Sequence, residues 1–223
     1  MKVYLNDFSN APLRVRIAIS WKEMDVEEVH VDLERSGGEQ HSDAFRRLNP
    51  QEMIPVLVDG DRVIRQSLAI IEYLEHKKPV PALLPPDEGG RARVRALAMT
   101  MACDGQPLLN LRVRQYLESR LELNDRQCAE WFAHWMRRSL GEYESLLKCD
   151  GETGRFSHGD APTLADVCLV PQVLMAQRFM IGIDDFPEVA RIFAAAIELE
   201  KFAAAIARFP RAAGQQRTDA LVT

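Results

Sequence analysis

Apolar and polar residues alternate along the first third of the chain with two different periods. "KVYLN" (2–6), "EEVHVDL" (27–33), "IPVLVDG" (54–60) and "RVIRQ" (62–66) are short alternating or β-branched runs and read as strands. The last two are separated by Asp59-Gly60-Asp61, a hairpin turn signal. Between them lie stretches of helical character. Val15 to Lys22 is one, and "DAFRRLNP" (43–50) is a short one stopped by Pro50, because the residue before a proline avoids helical geometry. "SLAIIEYLEHKKP" (67–79) places Leu68, Ile71 and Leu74 on one helical face, with Ser67 expected as its cap and Pro79 beyond its end. The order β-α-β-α-β-β-α predicts a sheet with a parallel start, an antiparallel hairpin finish and a closing helix.

The pattern changes at "KKPVPALLPPDEGG" (77–90), where four prolines and two glycines mark a linker. Everything beyond it reads helical, over 91–120, 125–148, 163–180, 187–194 and 197–207. Thr163, with Asp166 three residues on, forms a capping box ahead of an apolar run. The tail "AAGQQRTDALVT" has no periodicity and is expected to fray. The expected organisation is an α/β domain over 1–84 and an all-α domain over 90–215, divided near 85–90.

Composition adds exclusions. The 223 residues are 47% hydrophobic and 27% charged, with a formal net charge of −5. That balance argues against a nucleic-acid binder, which needs a concentrated Lys/Arg surface. No apolar run approaches the roughly 18 residues that span a bilayer, so no membrane partner is expected. The N-terminal residues lack a leader pattern, and the four cysteines, Cys103, Cys128, Cys149 and Cys168, contain no CxxC and no paired His. Reduced thiols, a cytoplasmic location and no metal are the expectation.

Two places carry candidate chemistry. Ser9-Asn10-Ala11-Pro12 is a helix N-terminus signal, and such a terminus favours anions. Taken alone, it need only start a helix. The second place is "MIPVL" (53–57) with "RQSLAII" (65–71). Pro55 cannot extend a ladder, so the backbone at Ile54 is left as an edge to which a peptide-like ligand could add. Gln66 offers an amide, and Ser67 offers a hydroxyl beside helix N–H groups suited to a carboxylate. The plain reading is a hairpin followed by an ordinary cap; the order and spacing of the pieces are more specific.

With "RVRIAI", "LNPQEMIPVL", "QSLAIIEYLE", "ALLP", "GQPLLNL" and "TLADVCLVPQV", the chain resembles the glutathione transferases over about residues 2–210. The resemblance is closest to the zeta class, the maleylacetoacetate and maleylpyruvate isomerases. It implies a thioredoxin-like N-terminal domain that binds glutathione, an all-helical C-terminal domain and a homodimer. The implied reaction is glutathione-dependent cis–trans isomerisation of a maleyl dicarboxylate in the breakdown of aromatic compounds. The implied glutathione contacts are Ser9, Gln40, Ile54 through its backbone, Gln66 and Ser67, completed by Gln106 and Asn110 of the helical domain. Ser9 is the implied partner of the sulfur, assisted by Asn10. Arg112 and Arg178 fall where these isomerases bind substrate carboxylates, for which the arginine fork is well matched.

The opening turn departs from the zeta pattern of Ser-Ser-Cys-x-Trp: Asn10 and Ala11 stand where the second serine and the cysteine are usual, and Phe8 replaces a frequent arginine. Arg112 has a plain alternative as a solvated helix charge, and Arg178 as a charge at a helix C-terminus. Arg14 and Arg16 are expected to make structural ion pairs. Trp131, His134 and Trp135 read as core or interface, Cys168 as packing, and Asp104 as a surface charge. Two other functions remain open: a transferase that conjugates or dehalogenates small electrophiles, which would not need Arg112 or Arg178, and a non-catalytic interaction module of the same fold.

Overall fold

A computed structural model describes residues 1–34 and 37–210. The expected fraying of the tail from residue 212 lies outside the described residues. The chain divides into two units, one formed by 1–83 with 199–210 and the other by 84–198.

The first unit is built on four strands, β1 (Lys2–Leu5), β2 (Glu27–His30), β3 (Val56–Asp59) and β4 (Arg62–Arg65), in the order β2-β1-β3-β4. β1 pairs parallel with β2 and antiparallel with β3, and β3 and β4 form the hairpin. The parallel start and antiparallel finish follow the sequence pattern, although β2 ends at His30, earlier than the apolar run suggests. Val3 and Leu57, directly paired and fully buried, share one face of the sheet. That face is covered by α1 (Asn10–Trp21) and α3 (Ser67–Lys77), whose Ile17, Ile70, Ile71 and Leu74 are also buried. On the other face, Phe45 of α2 (Asp43–Leu48) joins Val31, Ile54 and Val56 in a cluster flanked by Tyr4.

α1 is longer than its apolar run predicts, starting at Asn10, and it is buried on nearly every side. Its outer side is covered by α9 (Glu200–Ile206): Trp21 meets Phe202 edge to face at 6.0 Å, and Ser20 Oγ donates to Lys201 O at 2.7 Å. A helix buried on nearly every side requires such a second layer. The end of the expected 90–215 domain therefore packs on the first unit.

The second unit holds α4 (Glu88–Met99), α5 (Leu111–Ser119), α6 (Asp125–Cys149), α7 (Leu164–Arg178) and α8 (Pro187–Ile197). α4 begins inside the expected linker because Asp87 caps it, its Oδ1 accepting from Gly90 N at 2.7 Å. The single helix expected over 91–120 is instead interrupted by a π-helical turn at Thr100–Gly105, a 3-10 turn at Gln106–Leu109 and an extended Asn110. Pro107 lacks the N–H an α-helix needs there. Gly105 also sits so close to α6 that a Cβ would lie 2.7 Å from Ser139 Cβ. α7 is the buried centre, started by the expected capping box: Asp166 accepts from Thr163 N at 2.7 Å and from Thr163 Oγ1 at 3.0 Å. Asp166 also accepts from Ser157 N at 2.9 Å, and burial holds its carboxyl above the usual range despite these bonds. No described helix is long and apolar enough to cross a membrane.

Candidate active site

The strand register gathers the first unit's candidates at one edge of the sheet. Leu5 pairs with His30, Tyr4 with Val56, and Val56 with Arg65. The ends of β1, β2 and β4 and the start of β3 therefore lie side by side. From these ends run Asn6–Ser9 into α1, the loop bearing Gln40, the Ile54–Pro55 approach to β3, and Gln66–Ser67 into α3. Ser9, Asn10, Gln40, Ile54, Gln66 and Ser67 are all carried there.

Ser9 is the N-terminal boundary of α1, in extended geometry at φ −113 and ψ 135; its carbonyl accepts from Leu13 N, while its hydroxyl makes no capping bond. The turn before it is braced by Asn6, 5% exposed, which donates Nδ2 to Val31 O at 3.0 Å and accepts Phe8 N at 2.8 Å. Asn10 is buried. Phe8, by contrast, is 40% exposed beside Ser9.

Around α3 the cap differs from expectation. Gln66, not Ser67, is the N-cap, held at φ 72, and Ser67 is the first helical residue. A non-glycine residue at that φ is unusual and stores backbone strain. Its side-chain amide donates to Gln51 Oε1 at 3.1 Å, tying the start of α3 to the loop before Ile54. Ser67 Oγ accepts from Arg14 Nη1 at 3.4 Å. Arg14 is 1% exposed, so this contact brings a buried cation beneath the helix start. Arg16 does form the expected pairs, with Asp7 at 2.6 Å and Glu28 at 3.0 Å.

Ile54 precedes Pro55 through a cis peptide, and its side chain is buried with Phe45. Neither its N–H nor its C=O is hydrogen-bonded to a described residue. Gln40, 4% exposed in the short turn Glu39–His41, leaves its buried Oε1 without a partner among the described residues. Nearby in sequence, Glu52 is contacted by His41 and, at 2.6 Å, by Arg46; those hydrogen bonds hold its carboxyl below the usual range.

In the second unit, Gln106 Nε2 donates to Asn110 Oδ1 at 3.1 Å, and Asn110 stands at the N-terminus of α5. Arg112 is exposed one residue into that helix, and Arg178 is half-buried as the last residue of α7. Consecutive residues of α6 reach both places: Trp131 Nε1 donates to Leu108 O at 2.9 Å, and Phe132 packs on Phe179 at 5.3 Å. Trp131 is thus a brace. An open cavity of about 570 Å³ lined by Thr100, Asp104, Arg137, Arg138 and Glu142 contains none of the candidates.

Two regions match family models, residues 4–86 the Glutathione S-transferase N-terminal domain and residues 123–200 the C-terminal domain. The probable maleylacetoacetate isomerase of Vibrio cholerae is 43% identical over 197 residues, covering 88% of this chain and 91% of that protein. The maleylpyruvate isomerase of a Ralstonia species is 43% identical over 203 residues, covering 91% and 94%. The chain belongs to the glutathione transferase family, in its zeta class. Among solved structures, a holo maleylpyruvate isomerase described as a bacterial zeta-class transferase superposes with TM-score 0.89 at 42% identity, covering 96% of this chain and all of that one. The maleylacetoacetate isomerase of Methylobacterium extorquens, solved with malonate and glutathione, gives TM-score 0.90 at 38% identity, covering 95% and 99%.

For this glutathione transferase, the residues that sequence reasoning missed are supports. Asn6, Asn49 and Arg65 lie in or beside loops and have no periodicity to reveal them. The one local signal was Asn49 before Pro50, a turn-forming pair.

Proposed function

We propose that the chain is a glutathione-dependent cis–trans isomerase of a maleyl dicarboxylate, with glutathione held by the first unit and substrate carboxylates by the helical unit. The observation that carries the first part is a set of polar groups at one sheet edge that have no partner among the described residues: the Ser9 hydroxyl, the Ile54 backbone and Gln40 Oε1. A tripeptide fits that set. Ile54 can pair with its central backbone by strand addition, while Gln66 and the N-terminus of α3 at Ser67 suit a carboxylate. Bound there, glutathione supplies a thiolate that adds to the conjugated cis double bond and departs after rotation about the resulting single bond. The chain's share is to keep that sulfur ionised. A free thiol has a pKa of about 8.5, and each unit of lowering takes about 1.4 kcal/mol of preference for the thiolate. Ser9 donates a hydrogen bond to the sulfur and the N-terminus of α1 adds its dipole, with Asn10 beside it. Gln106 and Asn110 complete the glutathione contacts, and Arg112 and Arg178 hold the substrate carboxylates. The reading includes a homodimer, checked by light scattering, and a cytoplasmic location, to which four free thiols are suited.

Turnover of maleylpyruvate and maleylacetoacetate, with and without glutathione, tests this. Glutathione-dependent conversion is expected, lost in Arg178→Ala. One observation favours a conjugating transferase instead: the exposed Phe8 beside Ser9 gives the sulfur an apolar neighbour. Glutathione binding without turnover of either maleyl substrate would overturn the isomerase, and conjugation of a small electrophile would then establish the alternative.

A further inference from the structure

Asn49 ends α2 and is 1% exposed, yet it lies in the loop that leads to Ile54. Both ends of its carboxamide are engaged: Nδ2 donates to Met53 O at 2.6 Å, and Oδ1 accepts from Gln51 N at 3.1 Å. Its backbone is engaged as well, the N–H donating to Phe45 O at 2.7 Å and the carbonyl accepting from Glu52 N at 2.9 Å. One buried carboxamide thus closes the loop Asn49–Met53 on itself. The loop is also tied to the strand and helix that carry Gln66: Arg65 Nε and Nη2 donate to Leu48 O at 3.1 and 2.6 Å, and Gln66 reaches Gln51.

Met53 O belongs to the same peptide group as the Ile54 N–H. That peptide is trans, so its carbonyl and N–H point in opposite directions. With the carbonyl pinned by Asn49 on one side and the Ile54 side chain anchored against Phe45 and Val56, the peptide plane has little freedom to turn. We propose that Asn49 is a positioning residue for glutathione: by holding Met53 O it aims the unpaired Ile54 N–H at the tripeptide backbone. This rests on the proposed reading of the glutathione site. Asn49 itself touches no ligand, because its side chain is buried and turned into the loop.

Asn49→Asp keeps the size and the acceptor for Gln51 N but sets an oxygen against Met53 O. Asn49→Ser is milder, shortening the side chain while leaving space for water. Steady-state kinetics of the whole protein should show KM for glutathione raised about tenfold in Asn49→Asp and less in Asn49→Ser. Loss of uniform binding leaves kcat at saturating glutathione nearly unchanged. A general packing defect would instead lower kcat or leave both parameters alone. In the unaltered protein, the Ile54 amide resonance should shift as glutathione is added. Unchanged KM in folded variants, or an Ile54 amide that glutathione does not move, overturns the role of Asn49. Failure of the unaltered protein to bind glutathione overturns the functional reading and this role together.

Discussion

Lys22, at the C-terminal cap of α1, has no exposed surface, yet it carries a charge. Its Nζ lies 2.6 Å from Glu75 Oε2 in α3 and donates to Lys78 O at 2.7 Å and Pro81 O at 3.0 Å. Glu75 in turn accepts from Leu83 N at 3.0 and 3.2 Å through its two oxygens. One ammonium and one carboxylate therefore bind α1, α3 and the chain that leaves α3. Lys22→Met keeps most of the volume but strands the carboxylate and two carbonyls. Breaking a buried pair in this way costs about 3–5 kcal/mol, a large part of a total stability of about 5–15 kcal/mol. At about 2–4 °C per kcal/mol for a chain of this length, the unfolding midpoint should fall by roughly 6–20 °C.

The double variant Lys22→Met/Glu75→Leu separates attraction from burial. Removing both charges spares the cost of a lone buried ion, so it should lose less than the two single variants summed, by about 1 kcal/mol or more. It should not recover fully, because Leu83 N, Lys78 O and Pro81 O remain without partners. Calorimetric melting of the four proteins gives the cycle. A Lys22→Met loss within the roughly 0.5 kcal/mol typical of exposed substitutions, or strict additivity, would refute the account.

Two other outcomes follow from local geometry. Gly105→Ala places a Cβ 2.7 Å from Ser139 Cβ and should destabilise by about 1–3 kcal/mol through overpacking; an unchanged melting midpoint would show that the close approach is not tight. Burial works to raise the Glu28 carboxyl, but hydrogen bonds from Arg16 and Arg208 outweigh it and hold it below its ordinary range. A lowered folded pKa stabilises the protein above the unfolded value of about 4.3 and loses that contribution as pH falls through the folded one. Glu28→Gln should therefore narrow the difference between urea midpoints at neutral and acid pH, and an unchanged difference would count against the Arg16 and Arg208 contacts.

Where burial follows a period, the sequence disclosed the structure. Val3 and Leu5 alternate with Lys2 and Tyr4 along β1, and Leu68, Ile71 and Leu74 marked α3. What could not be read depended on partners far along the chain. The start of α1 was marked by Ser9 to Pro12 and not by its apolar run, because Asn10 and Arg14 are polar residues whose burial the pattern does not reveal. The long helix over 91–120 looked continuous because a π-helical turn keeps helical periodicity nearly intact until Pro107. α9 looked like part of the helical domain, since nothing in "EKFAAAI" shows that Phe202 will meet Trp21.

The candidate site divides along the same physical line. Residues that would touch a ligand lie at strand and helix ends, where serine, glutamine and proline have recognisable local roles, so Ser9, Ile54 and Ser67 could be named from their neighbours in sequence. The residues that hold them in place are short polar side chains buried in loops. Asn6 braces the turn before Ser9 and Asn49 the turn before Ile54, each with one carboxamide that both donates and accepts. Such a group is costly to bury unless both halves are satisfied, so its presence in a core signals that the loop conformation depends on it. Under the proposed reading, a sheet edge that offers the Ile54 backbone to a peptide needs this kind of support. Without it, loop residues could turn inward and pair the Ile54 N–H with the protein itself. The two asparagines keep these loops saturated on the inside, which leaves the edge open on the outside.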